Sequence, residues 1–239
     1  MTETIPAALA AAVRRDPTTP LLTWYDDASG DRTELSGATM DNWVAKTANL
    51  LVDGAGLGSG DTAAVLLPPH WQTAAVLLGA WAAGLEVCTG PAPQPADILF
   101  AWPGTVQAAD AWKTGDRYVT GLLPLAMPLR PLPPGFADYT VEVRGYGDRF
   151  VAYQPVTGED VALDGTDHGT ISGTAAARAQ ELGIGPAARV LVDAGTHPDP
   201  VDWLLAPLYA GASIVLCANL DRTTLEKRAA AENVTLTLA

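Results

Sequence analysis

The sequence predicts an α/β protein with parallel-sheet layers, flanking helices and two similar lobes. Three observations lead there. Helical and strand-like periods alternate in both halves of the 239-residue chain. Several strand segments are continuous apolar runs, as expected of strands covered on both faces. Glycines stand where helices must stop and the next strand begins. Such alternation builds parallel sheets through right-handed crossovers.

Residues Ile5 to Val13 read as a short helix that ends near Asp16-Pro17. Leu21 to Tyr25 is a strand, Asp26 to Asp31 is turn chemistry, and Thr33-Glu34-Leu35 starts the return strand of a hairpin. Met40, Trp43, Val44, Thr47, Leu50 and Leu51 recur at helical spacing over Thr39 to Val52, and Gly54-Ala55-Gly56 stops that helix. Thr62 to Leu67 holds a continuous apolar run that reads as a strand closed by Pro68-Pro69. A helix from His70 to Ala83 and a strand from Leu85 to Cys88 follow, with Gly84 between them.

The middle is less regular. Ala96 to Ala101, Tyr139 to Val143 and Arg149 to Tyr153 read as strands, and the proline-rich stretch Pro124 to Pro134 crosses the surface. A second α/β unit opens near Asp167. It has a helix over Thr170 to Leu182, a strand over Val190 to Val192, a helix over Pro200 to Tyr209 and a strand over Ser213 to Cys217. A helix over Asp221 to Glu232, with Asp221 as its cap, leads to a last strand over Val234 to Leu238. The lobes are placed at 1–150 and 151–239.

Composition narrows the function. Hydrophobic residues make up 48% of the chain, enough for a buried core. Acidic residues outnumber basic ones 27 to 14, for a net charge of −13. That balance argues against nucleic acid and against anionic membrane surfaces as partners. Cys88 and Cys217 sit in apolar strands and read as buried free thiols. The start has no basic residue ahead of its apolar part, and the apolar run Ala74 to Leu85 falls short of the ~20 residues of a membrane span. The expected location is cytoplasmic.

Several stretches together carry a family resemblance: Leu35-Ser36, then Ala48-Asn49-Leu50-Leu51, then Gly56-Leu57-Gly58-Ser59-Gly60-Asp61-Thr62-Ala63-Ala64-Val65-Leu66-Leu67-Pro68. In the second half, Leu205 to Leu216 (LAPLYAGASIVL) and Asn233-Val234-Thr235 continue it. In this order the chain resembles the N-terminal part of the adenylate-forming superfamily, which includes acyl-CoA synthetases, luciferases and peptide-synthetase adenylation domains. The alanine-rich composition fits a short, degenerate, AMP-binding-like type found in actinobacteria. The resemblance implies the fold of the N-terminal domain of acyl-CoA synthetases. It also implies ATP or AMP, CoA and a small acyl ligand as the molecules such a fold handles.

That family cradles ATP phosphates with a Ser/Thr/Gly-rich loop ending in Pro-Lys-Gly, where backbone N–H groups and a lysine supply the positive field. By order in the chain, the loop falls where this sequence reads Pro155-Val156-Thr157-Gly158-Glu159-Asp160-Val161. Thr157, Gly158, Glu159 and Asp160 thus form a degenerate phosphate-loop position, with one glycine, no lysine and two adjacent carboxylates. At ~4 Å even a well-solvated like-charge contact costs about 1 kcal/mol, so polyphosphate is disfavoured there. Ser172-Gly173-Thr174 recovers three letters of the loop but lacks its later glycine and lysine. The three lysines, Lys46, Lys113 and Lys227, all lie outside glycine-rich loops. The family's Tyr-Gly-x-Thr-Glu motif, ribose-binding aspartate and C-terminal catalytic lobe are not found before Ala239, so that lobe is expected to be absent.

Asp193, His197, Asp199 and Asp202 form the densest polar cluster. The family places a histidine beside the acyl pocket after the corresponding strand, and His197 matches it by order. His197 and Trp203 are the candidate ligand-binding residues. The plainer reading is a loop histidine beside a helix capped by Asp199 or Asp202, with Trp203 in the core. One histidine with spaced carboxylates is no metal signature, and no metal site is assigned. Asp167-His168 with Ser172 does not make a nucleophile elbow, because the serine is one place late and lies in a helix. Gly54 to Gly60 follows a helix and opens a strand, the reverse of a dinucleotide loop.

The sequence therefore reads as a non-catalytic relative of adenylate-forming enzymes with a binding, regulatory or scaffold role, and no catalytic residue or cofactor is assigned. Two alternatives stay open. One is an enzyme acting on acyl or CoA-thioester substrates near His197. The other is a subunit completed by a partner protein or a second copy, because the strand near Thr235 can expose an edge.

Overall fold

Helix α1 (Ile5–Arg15) starts where the Thr4 hydroxyl accepts the Ala7 N–H at 3.3 Å, with proline in its first turn. The computed structural model describes residues 4–90 and 92–239. Strands β1 (Pro20–Asp26) and β2 (Asp31–Ser36) form the expected antiparallel hairpin. Helix α2 (Gly37–Asn49) runs on into a wider π turn, Leu50–Gly54, closed by the Ala55 N–H on the Leu50 carbonyl at 2.9 Å. Strand β3 (Thr62–Leu66), helix α3 (Trp71–Ala82), strand β4 (Glu86–Cys88) and strand β5 (Ala96–Ala101) follow as read. β3 pairs parallel with both β4 and β5.

The middle of the chain departs from expectation. A short helix α4 (Val106–Ala109) precedes an unforeseen strand β6 (Thr114–Val119), whose Gly115, Asp116 and Arg117 hide any apolar pattern. After β7 (Ala137–Asp138), the expected strand Tyr139 to Val143 is helix α5 (Tyr139–Glu142) and a following 3₁₀ turn. The reason is Asp138, whose carboxylate caps the helix by accepting the Thr140 and Val141 N–H groups. The expected strand Arg149 to Tyr153 has no regular structure. Asn49 Nδ2 donates to the Gly147 and Arg149 carbonyls instead, and Val151 is 86% exposed. A hairpin of β8 (Val161–Leu163) and β9 (Thr166–Asp167) also went unread. Its two-residue turn is Asp164-Gly165, both at positive φ, which Asp-Gly tolerates and most pairs do not.

Helix α6 (His168–Glu181), strand β10 (Arg189–Asp193), a π turn over Val201–Leu205, helix α7 (Ala206–Ala210) and strand β11 (Ser213–Ala218) match the reading within a few residues. Helix α8 (Leu225–Ala231) is shorter than expected. Its N-cap is Thr224, while Asp221 accepts the Thr223 N–H and hydroxyl in the turn ahead. Strand β12 (Leu236–Leu238) closes the described chain.

The chain divides into two compact units interleaved in sequence, whereas the sequence reading draws a single boundary after residue 150. The first unit comprises the chain up to Asp41, Pro69–Ala74 and Ser172–Ala239; the second comprises Asn42–Pro68 and Ala75–Ile171. The first holds a five-stranded sheet in the order β12-β10-β11-β1-β2, parallel except for β2. Leu191, Val215 and Cys217 form a core on one face of it, joined by Tyr25, Leu225 and Val234. The second holds a seven-stranded sheet in the order β7-β6-β5-β3-β4-β8-β9. Its core includes Leu99, Trp112, Val119 and Phe136. There Trp81 donates from Nε1 to the Ala162 carbonyl at 2.7 Å, which pins the β8–β9 hairpin. Gly79 lets α3 approach α2: a Cβ added to it would lie 2.5 Å from Thr47 Cβ.

Candidate functional site

The loop ahead of α6, in the second unit, holds Thr157, Gly158, Glu159 and Asp160, the residues expected from sequence at a degenerate phosphate loop. Asp160 Oδ2 accepts the Thr157 N–H at 2.7 Å and the Thr157 hydroxyl at 3.0 Å. The Asp160 carbonyl accepts the His168 N–H, and the Gly158 carbonyl accepts the Gly169 N–H at 2.8 Å. Thr157, Gly158, Glu159 and Asp160 therefore form a turn closed on itself. Its carboxylate holds a donor that a phosphate-binding loop would aim at its ligand, and Glu159 is exposed beside it. Asp167 accepts both the N–H and the hydroxyl of Thr170, capping α6. His168 is buried, and burial pushes its pKa down. Ser172 shares a 2.5 Å hydrogen bond with the Tyr209 hydroxyl in the first unit.

The second candidate lies in the first unit, beyond the carboxyl end of β10, the end where open α/β sheets bind ligands. The Asp193 carbonyl accepts the His197 N–H at 3.0 Å, which turns the chain off the strand. Asp199 Oδ1 accepts the Val201 N–H at 2.8 Å at the start of the π turn. That turn carries Asp202, and π turns are frequent at functional sites. Asp202 meets His197 Nδ1 at 3.2 Å through Oδ2, and Arg178 through both oxygens, at 2.7 and 3.1 Å. The hydrogen bonds of Arg178 hold the Asp202 carboxyl below the usual carboxylate range despite its partial burial, and His197 adds to the effect. His197 is held with 18% of its side chain exposed. Beside this group lies an open cavity of about 520 Å³, lined by Thr174, Arg178, Glu181, Asp199 and Asp202.

Of the residues singled out from sequence, His197 thus stands in an ordered polar group, while Trp203 is only 1% exposed and packs in the core. Arg178 went unread as a site residue. It lies in the last turn of α6, a position that reads as ordinary helix charge until the fold brings it to Asp202. Among the described residues, no group of three His, Cys, Asp or Glu side chains is arranged to hold a metal ion, and no helix is long and apolar enough to cross a membrane.

A larger cavity of about 680 Å³ opens at the amino ends of β1, β10 and β11, lined by Arg15, Arg32, Glu34, Arg189 and Glu232 among others. Most of these charges already satisfy one another. Glu232 accepts from Tyr25 at 2.6 Å, from Arg32 at 2.8 Å and from Arg189 at 2.6 Å. Burial alone would raise its pKa, but these hydrogen bonds bring it down to about 2. The group ties β1, β2, β10 and α8 together.

No family model matches the chain. Solved structures with similar folds are a Brucella canis acyl-CoA synthetase (TM-score 0.74, 18% identity, 96% of this chain and 46% of that one) and the anthranilate CoA ligase AuaEII in complex with anthranoyl-AMP (TM-score 0.72, 14% identity, 98% and 48%). A Mycobacterium tuberculosis fatty acyl CoA synthetase is similar too (TM-score 0.70, 14% identity, 98% and 49%). The chain spans about half the length of these structures, and its fold is that of the N-terminal domain of adenylate-forming enzymes. A Mycobacterium tuberculosis relative described as a TIGR03089 family protein is 41% identical over 98% of this chain and 100% of its own length. With that identity along the whole relative, the chain belongs to the TIGR03089 family.

Proposed function

We propose that this protein is a non-catalytic member of the adenylate-forming lineage, with a binding or regulatory role. One observation carries the reading: the Asp160 carboxylate takes the Thr157 N–H and hydroxyl for itself. A nucleotide phosphate seated on this turn would have to displace that carboxylate and lie against Glu159, with no lysine in the turn to offset the repulsion. The residues present do not fit ATP, and no step through ATP, AMP or CoA is derived. The test is ATP–pyrophosphate exchange with a panel of aliphatic and aromatic carboxylic acids, together with titration calorimetry of magnesium-ATP. The expected result is no exchange and no heat of binding. Exchange above the protein-free rate with any acid overturns the reading.

A second reading, binding of an acyl or CoA-thioester ligand, is favoured by the order around His197. Asp202 orients its ring, Arg178 fixes Asp202, and an open cavity lies alongside. Thermal-shift measurements with fatty acids and acyl-CoA esters test it. A shift that His197→Ala abolishes supports it, and no shift with any acyl compound sinks it.

A further inference from the structure

The cavity of about 680 Å³ at the amino ends of β1, β10 and β11 falls within the ~300–1,000 Å³ range of small-molecule sites. It lies at the opposite end of β10 from His197, which follows the carboxyl end of that strand. Its walls carry the arginines Arg15, Arg32 and Arg189 and the carboxylates of Asp16, Glu34 and Glu232.

These charges are unevenly paired. Arg189 and Arg32 both donate to Glu232, and Arg32 also pairs with Glu34. Asp16 Oδ1 accepts the N–H groups of Thr18 and Thr19, closing the turn after α1. Arg15 meets no carboxylate among the described residues. Its Nη1 donates to the Gly211 carbonyl at 2.8 Å, and its guanidinium lies over Gly211, where an added Cβ would sit 2.5 Å from Nη1. One anchoring bond thus leaves Nε and Nη2 without a partner among the described residues. That edge of a guanidinium pairs with a carboxylate through two parallel N–H···O bonds.

The surroundings choose the ligand class. One unpaired guanidinium matches one negative charge. A second charge, as on a polyphosphate, would face Asp16 and Glu34 in the same cavity. Ala12, Leu21, Ala188 and Ala212 add apolar surface beside the charged groups. We propose that this cavity binds a small monocarboxylate with an apolar body, its carboxylate paired with Arg15.

Titration calorimetry of the full chain with hexanoate and with benzoate tests this. Saturable one-to-one binding is expected, and the neutral hexanamide and benzamide should bind at least tenfold more weakly. Arg15→Gln should weaken carboxylate binding about tenfold. Arg15→Lys, which keeps the charge and loses the fork, should weaken it less. Arg15 belongs to no ion pair among the described residues, so both variants keep the fold. His197→Ala should leave binding unchanged, which separates this site from an acyl site beside His197. No binding of either carboxylate, equal binding of the amides, an affinity indifferent to Arg15→Gln, or an affinity lost in His197→Ala would each overturn the proposal.

Discussion

Acidification should destabilise this protein through His70, at the start of α3. Its side chain is 2% exposed, and Nδ1 accepts the Gln72 N–H at 3.0 Å, so the ring serves as the helix cap. The ring lies edge-on to Trp24, with centroids 4.2 Å apart. Burial pushes its pKa from 6.5 down to about 3, against a smaller upward pull from Asp26. The unfolded chain therefore takes up the proton first. The stability owed to a neutral His70 is complete above pH 6.5 and is lost as pH falls from there toward 3. Each pH unit in that window is worth about 1.4 kcal/mol. Between pH 7 and 4.5 the loss from this one group comes to about 2–3 kcal/mol, a large share of a typical 5–15 kcal/mol total. Denaturant titrations at both pH values measure it, with His70→Asn as reference. Asparagine caps the helix but does not titrate, so any packing defect it introduces is the same at both pH values. The variant should lose about 2–3 kcal/mol less than wild type on acidification. Equal losses in the two proteins would refute the reasoning.

Two further outcomes follow from the packing. Glu232→Gln removes the carboxylate that holds Arg32, Arg189 and Tyr25 and should cost about 2–3 kcal/mol at pH 7, read by thermal or chemical denaturation. Because the pKa of Glu232 is lowered from 4.5 to about 2, that difference should persist above pH 4.5 and shrink as pH falls toward 2. Gly79→Ala should destabilise by about 1–3 kcal/mol, since the new methyl would collide with Thr47 Cβ; calorimetry showing an unchanged melting temperature would contradict the close approach of α2 and α3.

The sequence by itself determined the α/β class and most elements of both ends of the chain. These rest on neighbours a few residues apart: largely apolar runs such as Thr62 to Leu66, and glycine stops. Where a nearby polar group overrode the period, the reading failed. Asp138 made Tyr139 to Glu142 a helix, and Asp164-Gly165 folded an unforeseen hairpin.

Tertiary structure alone decided the rest. Arg178 finds Asp202 across 24 residues, and Arg32 finds Glu232 across 200. It also put Trp203 in the core and left β12 on an edge. Local periodicity records which face of an element is apolar. Which distant charges meet, and which strand lies outermost, depends on sheet order, and the chain acquires that order only when its layers pack.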